Sequence, residues 1–583
     1  MLSISSFFNR DKVVMKLIKL RCKSADLQKE QDQIREFIHP SCLPKSPKKV
    51  RVNSLFPPRR KWVGLGMKER YLMDSVARNE RRLKYTYLKA KAQGCTEDWY
   101  VRLCQYADSI VRYAFINDVG LQAPKVCAIL KEIDHGKKQV FYRPICKFPE
   151  IDKIVLSILN NYLTALFDDY FHDCSYAFRK VNGVRSKLQH LDAVRQVRNY
   201  RLAHVNQSLF VAECDMKKFY DTISHQVIKG RFIKLLQRAK SDGKISSQDS
   251  RFVKRWFFAY IDCFDFLSHV WIKNRFPRTH SIWKDLHQAP ADYQPGFSFL
   301  DKKKDAGFSW RLARTKKGRV GVPQGGALSG LIANIMMHDV DETVIRAMAG
   351  KDLLYCRFCD DMVLIGIDKK EVSYCYHQYE RAIRESRLIA HENKPVVSHP
   401  MKEFWKGKTR GPYEWNEKGE RIFPWITFVG FDVNWKGNLR IRKKSFQRQM
   451  AKQTQIVNEL LLPYSRGVKP RYCSGTIMES LSARLIAAGI GRVSFDNYQN
   501  NPNIHSWVSA FSLLDKNPWS EQQIKALDRH RESVLRQARR RLDKISCTAA
   551  SKNVNSKERY RMLYTYKGCP FSYYGQCFVY KNV

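Results

Sequence analysis

The stretch Tyr355-Cys-Arg-Phe-Cys-Asp360-Asp361-Met-Val-Leu-Ile365 has two adjacent carboxylates between two short runs of strand-forming residues. Each run, Tyr355 to Phe358 and Met362 to Ile365, predicts a β-strand, because aromatic and β-branched side chains are enriched in strands. The aspartate pair then lies at the turn of a β-hairpin. Acidic residues are common in turns, where most are simply solvated, so the pair alone identifies no site.

A third carboxylate suggests a metal-binding role for the pair. Asp215 follows the run Leu209-Phe-Val-Ala-Glu-Cys214, which also predicts a strand. Three carboxylates on neighbouring strand ends could hold two hard divalent cations, since such cations prefer oxygen ligands. Two cations held in this way are what in-line nucleotidyl transfer needs.

Net charge is the unusual bulk property of the chain. Its 583 residues include 104 Lys and Arg against 56 Asp and Glu, which leaves a formal charge of +48. Basic residues scattered along the chain suit a surface that follows a polyanion, although charge alone also fits loose, non-specific binding. Together with the aspartates, the charge favours a polynucleotide substrate.

Other bulk properties are ordinary. The length predicts two to four subdomains, and 44% hydrophobic with 27% charged residues is typical of a folded protein. Cys356 and Cys359 form a C-x-x-C pair, but the 16 cysteines show no second pair at zinc-finger spacing, so we expect no zinc site and a reducing compartment. Neither a membrane-spanning run nor a signal peptide is apparent, which predicts a cytoplasmic protein without a membrane partner.

Tyr220 is a candidate contact for the sugar of a nucleotide. It follows Asp215 in the segment Asp-Met-Lys-Lys-Phe-Tyr220. A bulky ring beside the carboxylate could press on the sugar and exclude a 2′-hydroxyl by steric clash. Without the Asp360-Asp361 pair, an ordinary core aromatic would be the better interpretation.

The segment Val322-Pro-Gln-Gly-Gly-Ala-Leu-Ser329 predicts a turn that opens a helix. Pro323 fixes the turn and the two glycines permit close backbone approach. Gln324 at this turn could hydrogen-bond a nucleotide or a template, although a glycine turn before a packed helix is the simpler interpretation. The apolar positions of the helix fall on one face: Leu328, Leu331, Ile332 and Ile335.

In this order along the chain, three motifs resemble the catalytic motifs of reverse transcriptases, in particular the bacterial branch with group II intron, retron and defence-associated enzymes (DRT). They are Asp215 with Phe219-Tyr220, Pro323-Gln324-Gly325-Gly326 and Phe358-Cys359-Asp360-Asp361. Flanking segments extend the likeness over about residues 140–450: Tyr142-Arg143-Pro144-Ile145, Ser175-Tyr176-Ala177-Phe178-Arg179, His391-Glu-Asn-Lys394 and Phe428-Val-Gly-Phe431.

The resemblance implies a two-metal site. Asp215, Asp360 and Asp361 would bind two Mg²⁺ ions, one acting on the primer 3′-hydroxyl and the other on the triphosphate. The family's usual Tyr-Ala-Asp-Asp is changed to Phe358-Cys359-Asp-Asp. The ring is kept and Cys359 is small and apolar, so we expect activity to survive.

The resemblance also implies substrate contacts. Arg143 and Arg179 are the candidates for gripping the triphosphate, with Lys147 as a substitute. Lys394 is the candidate for protonating pyrophosphate or contacting a phosphate. Tyr220 becomes the sugar gate, which favours deoxynucleotides.

The implied fold class is α+β, a right-hand polymerase with fingers, a palm of antiparallel sheet plus helices, and a helical thumb. We place a basic N-terminal extension at 1–65, the fingers at 66–205, the palm at 206–440, and the helical thumb and C-terminal region at 441–583. The stretch near 260–315 looks like an insertion in the palm. A lid, a template-RNA contact and an oligomer contact are open roles for it.

Three peripheral segments each have two interpretations. Pro40 to Trp62 is a basic arm on nucleic acid or a solvated linker. Gln522 to Ile545 predicts a basic amphipathic helix that lies along a duplex or is merely solvated. The tyrosine-rich tail, Tyr560 to Tyr580, would prime DNA synthesis from a protein hydroxyl or would consist of packed aromatics.

The leading hypothesis is an RNA-directed DNA polymerase that copies a dedicated non-coding RNA in antiphage defence. We see no His/Cys nuclease module, which favours a domesticated role over mobility. RNA template, DNA product and dNTPs are the implied partners, and a homo-oligomer or partner protein is left open. The alternatives are an RNA-binding maturase-like or scaffold protein, an RNA-directed RNA polymerase and a template-independent nucleotidyltransferase. Three intact aspartates favour an enzyme, and Tyr220 weighs against ribonucleotides.

Overall fold

The computed structural model describes residues 1–38, 51–67, 69, 75–115, 120–275, 280–284, 286, 290–305, 307–313, 315, 318–394, 404, 407–417, 422–490, 507–514, 517–545 and 571–572. They form two compact units. The first joins Met1–Val13 to Ala107–Val429, and the second joins Val14–Tyr106 to Gly430–Val583. The tyrosines of the predicted priming tail and much of the predicted basic arm lie outside the described residues.

Helices and strands are mixed in the chain, which confirms the predicted α+β class. The helices are α1 (Ile4–Phe7), α2 (Arg10–Glu36), α3 (Ser75–Ala92), α4 (Asp98–Phe115), α5 (Glu150–Phe167), α6 (Gln189–Ala203), α7 (Phe219–Thr222), α8 (His225–Ser241), α9 (Ser247–Asp262), α10 (Phe266–His269), α11 (Ser281–Lys284), α12 (Trp310–Ala313), α13 (Ser329–Met348), α14 (Lys369–Glu385), α15 (Lys443–Ser465), α16 (Ser474–Ile490), α17 (Trp507–Ala510) and α18 (Pro518–Asp543). Among the described helices, none combines the length and the apolar character that crossing a membrane requires.

The strands are short. They are β1 (Lys125–Asp134), β2 (Gln139–Lys147), β3 (Leu209–Cys214), β4 (Gln294–Phe297), β5 (Leu353–Phe358), β6 (Asp361–Gly366), β7 (Asn393–Lys394), β8 (Thr409–Trp415), β9 (Ile422–Phe423), β10 (Trp425–Phe428), β11 (Phe431–Asn434) and β12 (Leu439–Ile441).

The main sheet of the first unit has the strand order β5-β6-β3-β8-β7, with β9 beside β8. β5 and β6 form an antiparallel hairpin, and β3 is antiparallel to both β6 and β8. The predicted strand over residues 209–214 is confirmed, and the two predicted hairpin strands are each slightly longer than the sequence runs suggest. β3 therefore lies inside the sheet, next to the hairpin that carries Asp360 and Asp361.

Helix α14 covers one face of this sheet and packs on β3, β6 and β8. Its apolar residues recur at helical spacing, which turns one stripe of the helix toward the strands. Asp368 caps its start by accepting hydrogen bonds from the amides of Lys370 and Glu371. The buried stripe consists of Val372, Cys375, Tyr376, Tyr379 and Ile383.

A second sheet begins within residues 66–205, which the sequence analysis assigns to the fingers. β1 and β2 form an antiparallel hairpin, and β4 adds to β2 in parallel. β2 buries alternate positions on one face, whereas in β1 only Val126 is buried, and the charged residues of both strands hide the strand pattern. That face packs against aromatic residues of the 260–315 stretch, and the buried residues of this cluster include Val126, Val140, Tyr142, Trp283 and Phe297.

The second unit contains a helical cluster of α15, α16 and α18 around one apolar core. α18 begins at Pro518, after Asn517, whose side chain accepts a hydrogen bond from the Ser520 amide. The predicted amphipathic helix is confirmed: its apolar side is buried while Arg529, Arg536, Arg539 and Arg540 are exposed. Its contact with nucleic acid stays a prediction.

Candidate active site

The Asp360-Asp361 pair lies at the hairpin turn that the sequence predicts. Phe358 of β5 pairs with Asp361 of β6, and Cys359 and Asp360 form the two-residue loop between them. Cys359 has φ +63°, in the left-handed region that two-residue hairpin loops require. Asp361 is therefore the first residue of β6, and it is exposed.

Asp215 lies close to this turn because β3 pairs with β6. The register joins Cys214 to Met362, so Asp215 leaves β3 at the end of the sheet where the turn lies. Asp215 and Asp360 line one cavity of about 540 Å³, here called the aspartate cavity. Burial, followed by the negative charge of Asp215, raises the pKa of Asp360 above its usual value. Two carboxylates thus converge on one cavity and repel each other there.

The chemistry of this pair fits a hard divalent cation. Carboxylate oxygens are the ligands that Mg²⁺ prefers, and a cation between Asp215 and Asp360 would remove their repulsion. Within the described part of the chain, no three acidic, imidazole or thiol groups are close enough together to form a metal site. Asp361 does not line the cavity. Its role as a third ligand stays a prediction.

Lys408 is the lysine that the structure brings to Asp215, and sequence reasoning missed it. Its Nζ lies 2.9 Å from Asp215 Oδ2, and His391 Nε2 lies 3.8 Å from the same oxygen. The Asp215 amide donates to Thr409 Oγ1 at 3.3 Å. Burial and the charge of Lys408 lower the pKa of His391 to about 4. The Lys408 ammonium is thus the cation that compensates Asp215.

Lys394, the predicted phosphate or pyrophosphate contact, forms β7 with Asn393. Its backbone pairs in parallel with Arg410 of β8, two residues after Lys408. The sequence contains several lysines after α14, and no local pattern distinguishes the one that reaches Asp215. The catalytic role of Lys394 stays a prediction.

Tyr220 lines the aspartate cavity and contacts the hairpin turn. Its hydroxyl oxygen lies 3.1 Å from Cys359 Sγ, one residue before Asp360. The ring of Phe219 is buried beside it, with the two centroids 5.2 Å apart. Burial raises the pKa of Tyr220 well above its usual value, so the hydroxyl stays protonated. The ring is therefore fixed beside the carboxylates, and its role as a sugar gate stays a prediction.

Gln324 lines the same cavity, and its side chain is held by Asp221, which sequence reasoning also missed. Gln324 Nε2 donates to Asp221 Oδ1 at 2.7 Å. Since a carboxylate only accepts, the amide turns its nitrogen to Asp221 and its oxygen away. Burial raises the pKa of Asp221 to about 6. In the sequence, the one sign of this contact is that an acidic residue, Asp221, directly follows Tyr220.

The turn before α13 depends on its glycines. Gly325 has φ +82°, and a Cβ at Gly326 would lie 2.0 Å from the Tyr260 hydroxyl oxygen. The Gln324 carbonyl accepts a hydrogen bond from the Cys146 amide at 2.8 Å, which ties the turn to β2. The predicted apolar face of the helix is confirmed, since its members are buried: Leu328, Leu331, Ile332 and Ile335.

Cations form another part of the cavity wall. Arg143 on β2 lines the aspartate cavity, as does Lys131 on β1. Lys131 is the residue that the β1–β2 register skips between Leu130 and Glu132, and such bulges re-aim side chains. Burial and the charge of Lys131 lower the pKa of Lys218, another lining residue, to about 8. The sequence predicted Arg143 but neither lysine.

Arg179 has a structural role in place of the predicted triphosphate contact. Its side chain is buried, and Nε donates to Asp168 Oδ1 at 3.0 Å. The two terminal nitrogens donate to the carbonyl oxygens of Asp168, Phe171, His172 and Ser175. All five N–H groups are used within the protein, so none is left for a phosphate. The Arg179 guanidinium therefore holds this loop together.

A buried network fixes the hairpin turn from behind. Arg357 pairs with Asp341 of α13 at 2.6 Å and donates to the Cys359 carbonyl oxygen at 2.8 Å. It also donates to Ser175 Oγ at 2.8 Å, and Ser175 Oγ in turn donates to Asn334 Oδ1 at 3.1 Å. Because α13, β5 and the Ser175 loop share this network, the position of the Cys359-Asp360 turn is set by buried groups.

Comparison with known families agrees with this geometry. Residues 233–416 match the family described as reverse transcriptase (RNA-dependent DNA polymerase). The matched segment includes Gln324, Asp360 and Asp361 and begins after Asp215 and Tyr220. A comparison with curated proteins finds no match.

Solved structures show weak likenesses. The apo telomerase of Candida tropicalis has 12% identity and a TM-score of 0.37, covering 98% of this chain and 83% of that one. A form truncated from its C-terminal domain has 16% identity and a TM-score of 0.32, and this chain covers only 59% of it, with 57% of this chain aligned. The RNA-dependent RNA polymerase of a human picobirnavirus has 10% identity and a TM-score of 0.33, covering 77% of this chain and 64% of that one.

The family match contains the hairpin and the glycine turn, and the first unit supplies a cavity with paired carboxylates at that hairpin. The chain carries a reverse transcriptase domain over residues 233–416, and it is an enzyme of the nucleotidyltransferase class.

Proposed function

We propose that the protein is an RNA-directed DNA polymerase that extends a primer in the aspartate cavity. The observation that carries the proposal is the convergence of Asp215 and Asp360 on a cavity that Tyr220 and Gln324 also line. The match of residues 233–416 to the reverse transcriptase family supports it. Polymerase chemistry needs metal-binding carboxylates and a nucleotide contact at one place, and this cavity combines them.

In this proposal Asp215, Asp360 and Asp361 hold two Mg²⁺ ions. When bound, such ions lower the pKa of the primer 3′-hydroxyl and offset the charge of the triphosphate. The raised pKa of Asp360 supports the assignment, because a carboxyl that is costly to ionise alone gains most from a nearby cation.

The other side chains position the substrates. Arg143 and Lys131 bind the triphosphate from the β1–β2 hairpin, since both line the cavity. The Tyr220 ring excludes a 2′-hydroxyl and so selects deoxynucleotides. Lys408, 2.9 Å from Asp215, joins Lys394 as a candidate for donating a proton to the leaving pyrophosphate.

DNA synthesis by purified protein tests the proposal. The protein is isolated with its bound nucleic acid and supplied with dNTPs and Mg²⁺, as wild type and as Asp360→Asn. We expect the substitution to lower synthesis by roughly 10²–10³-fold, as for the loss of one electrostatic contact to a transition state. Asp292→Asn, at an exposed residue beside Lys138, is the matched control and should not change synthesis. Equal synthesis by wild type and Asp360→Asn would contradict the proposal.

The proposed template is a dedicated non-coding RNA, and the proposed role is antiphage defence. The support is the resemblance of the motifs to the bacterial branch that includes defence-associated enzymes. Sequencing of the co-purifying RNA and of the DNA product tests this. One RNA species with complementary DNA is expected, whereas mixed RNA without DNA would favour a maturase-like or scaffold protein. The cytoplasmic location and an oligomer or partner protein stay predictions of the sequence.

A further inference from the structure

The 260–315 stretch, whose role the sequence left open, forms part of the wall of the aspartate cavity. Residues 298–305, here called the cavity loop, directly follow β4. Six of them line the cavity together with the catalytic aspartates: Ser298, Phe299, Leu300, Asp301, Lys304 and Asp305.

Apolar contacts fix the base of the cavity loop. The ring of Phe299 stacks on Phe266 with centroids 4.7 Å apart and meets Trp310 edge-on at 5.6 Å. Leu300 is buried in the same cluster, beside Phe308. Because these side chains are covered, the loop is a packed part of the domain and keeps a defined position next to the cavity.

Polar contacts tie the same loop to the segment that follows Asp215. Asp305 is buried, and its Oδ1 lies 2.6 Å from Lys217 Nζ. Lys218 Nζ donates to Ser298 Oγ. Within the loop, Asp301 Oδ1 accepts hydrogen bonds from the amides of residues 303 and 304, which forms a tight turn around Lys304. The loop and the Asp215 segment are thus joined by two lysine contacts.

Six cations and five carboxylates line the cavity, the carboxylates being Asp215, Asp221, Asp301, Asp305 and Asp360. Lys217 is paired with Asp305, and Lys408 with Asp215. Arg143, Lys131, Lys218 and Lys304 also line the cavity, and none of these four forms an ion pair with a described residue: Arg143 and Lys131 come from the β1–β2 hairpin, Lys218 from the Asp215 segment, and Lys304 from the cavity loop. The charge of Asp221 offsets part of the charge of Lys218, Lys131 and Arg143, and an anion of several charges would stabilise this group of cations further.

We infer that the cavity loop is part of the nucleotide site and that Lys304 binds the triphosphate of the incoming nucleotide, together with Arg143 and Lys131. The inference rests on the proposed polymerase function. A nucleotide is favoured over the phosphates of a nucleic-acid strand, because the same cavity contains Tyr220 and has a volume of about 540 Å³, the size that one small ligand fills. The stretch at 260–315 then supplies a substrate contact.

Lysine acetylation tests the inference without requiring catalysis. Wild-type protein is acetylated with and without saturating dNTP, and the modification of each lysine is read by mass spectrometry. Lys304 should be protected by dNTP, whereas the exposed Lys303 of the same loop should not be. A single-stranded oligonucleotide at equal phosphate concentration should protect Lys304 less than dNTP does. Absence of protection by dNTP, or stronger protection by the oligonucleotide, would overturn the inference.

Kinetics of two neighbouring variants provide the second test. Lys304→Ala should raise the KM for dNTP about 10-fold with kcat nearly unchanged, as for the loss of one charge-assisted hydrogen bond. Lys304→Arg should restore most of the KM, and Lys303→Ala is the matched control. An unchanged KM, or faster synthesis because the loop obstructs the cavity, would overturn the inference. If Asp360→Asn loses synthesis but Lys304→Ala has an unchanged KM for dNTP, only this inference is contradicted. If Asp360→Asn keeps full synthesis, the polymerase proposal itself is contradicted.

Discussion

Arg143 and Arg179 lie in two segments that resemble flanking motifs of reverse transcriptases, yet the structure gives them different surroundings. Arg143 is exposed on β2 and lines the aspartate cavity. Arg179 is buried behind the hairpin turn, with all five N–H groups used inside the protein. The comparison teaches that a motif identifies important positions, while burial and hydrogen-bond partners decide their role. Substitutions behind the turn should therefore change stability, and substitutions in the cavity should change kinetics.

The largest expected effect comes from substituting Arg179, the buried arginine of the pair. Arg179→Ala should lower the free energy of unfolding by about 3–5 kcal/mol, because it leaves the buried Asp168 carboxylate and several carbonyl oxygens without a donor. Urea unfolding followed by circular dichroism measures this change.

Arg143→Ala is the matched control for that experiment. It should leave the free energy of unfolding within about 0.5 kcal/mol of wild type, since the side chain is exposed. It should instead raise the KM for dNTP. If Arg179→Ala is as stable as wild type, or if Arg143→Ala is equally destabilised, the distinction between the two arginines is wrong.

Substitutions of Tyr220 test whether residues that line the cavity control the kinetics. Tyr220→Ala should reduce the preference for dNTP over rNTP by about 10–100-fold in kcat/KM, because the ring that excludes a 2′-hydroxyl is removed. Tyr220→Phe keeps the ring and loses only the contact with Cys359, so it should keep the preference. Single-nucleotide incorporation with both nucleotide types measures the ratio. A ratio that Tyr220→Ala leaves unchanged would remove the sugar gate from the proposal.

The smallest expected effect concerns Asp221, which lies in the cavity and is also buried. Burial raises its pKa from 3.8 to about 6, so the folded protein binds a proton as the pH falls through about 6, where the unfolded chain is still ionised at this residue. The ionised form is the costly one in the folded state, so this carboxyl makes the free energy of unfolding larger at pH 5 than at pH 7, by about 1 kcal/mol.

Asp221→Asn removes that titration and provides the comparison. Urea unfolding measures the free energy of unfolding at pH 5 and at pH 7. The change in this free energy between the two pH values should be about 1 kcal/mol smaller in the variant than in wild type. The same pH dependence in both proteins would show that burial does not raise the pKa of Asp221 as the geometry indicates.

The parts of the site that rest on regular secondary structure were predictable from the sequence. β3 and the β5–β6 hairpin have short apolar runs with polar residues at their ends, and this local pattern correctly placed Asp215 near Asp360. The buried face of α13 followed from helical spacing in the same way. In each case neighbouring residues in the chain contain the whole signal.

The remaining part depends on irregular backbone and on contacts between distant segments. Lys131 reaches the cavity through a bulge, and Lys218 has φ +54° in the left-handed region, which no side-chain pattern reports. Lys408 reaches Asp215 because β8 pairs with β3. The motif that contains Arg179 predicts a substrate contact, whereas the burial of Arg179 is a property of the folded loop that no local pattern shows.

Iron-mediated backbone cleavage tests most directly whether Asp215 and Asp360 share a metal site. Fe²⁺ can occupy carboxylate sites that take Mg²⁺, and with ascorbate and peroxide it generates radicals that cut the nearby backbone. We predict cleavage close to Asp215 and in the turn at residues 359–361, suppressed by excess Mg²⁺, lost in Asp360→Asn and retained in Asp292→Asn. Cleavage that is absent from both places, or that persists unchanged in Asp360→Asn, would contradict the metal site on which the polymerase proposal depends.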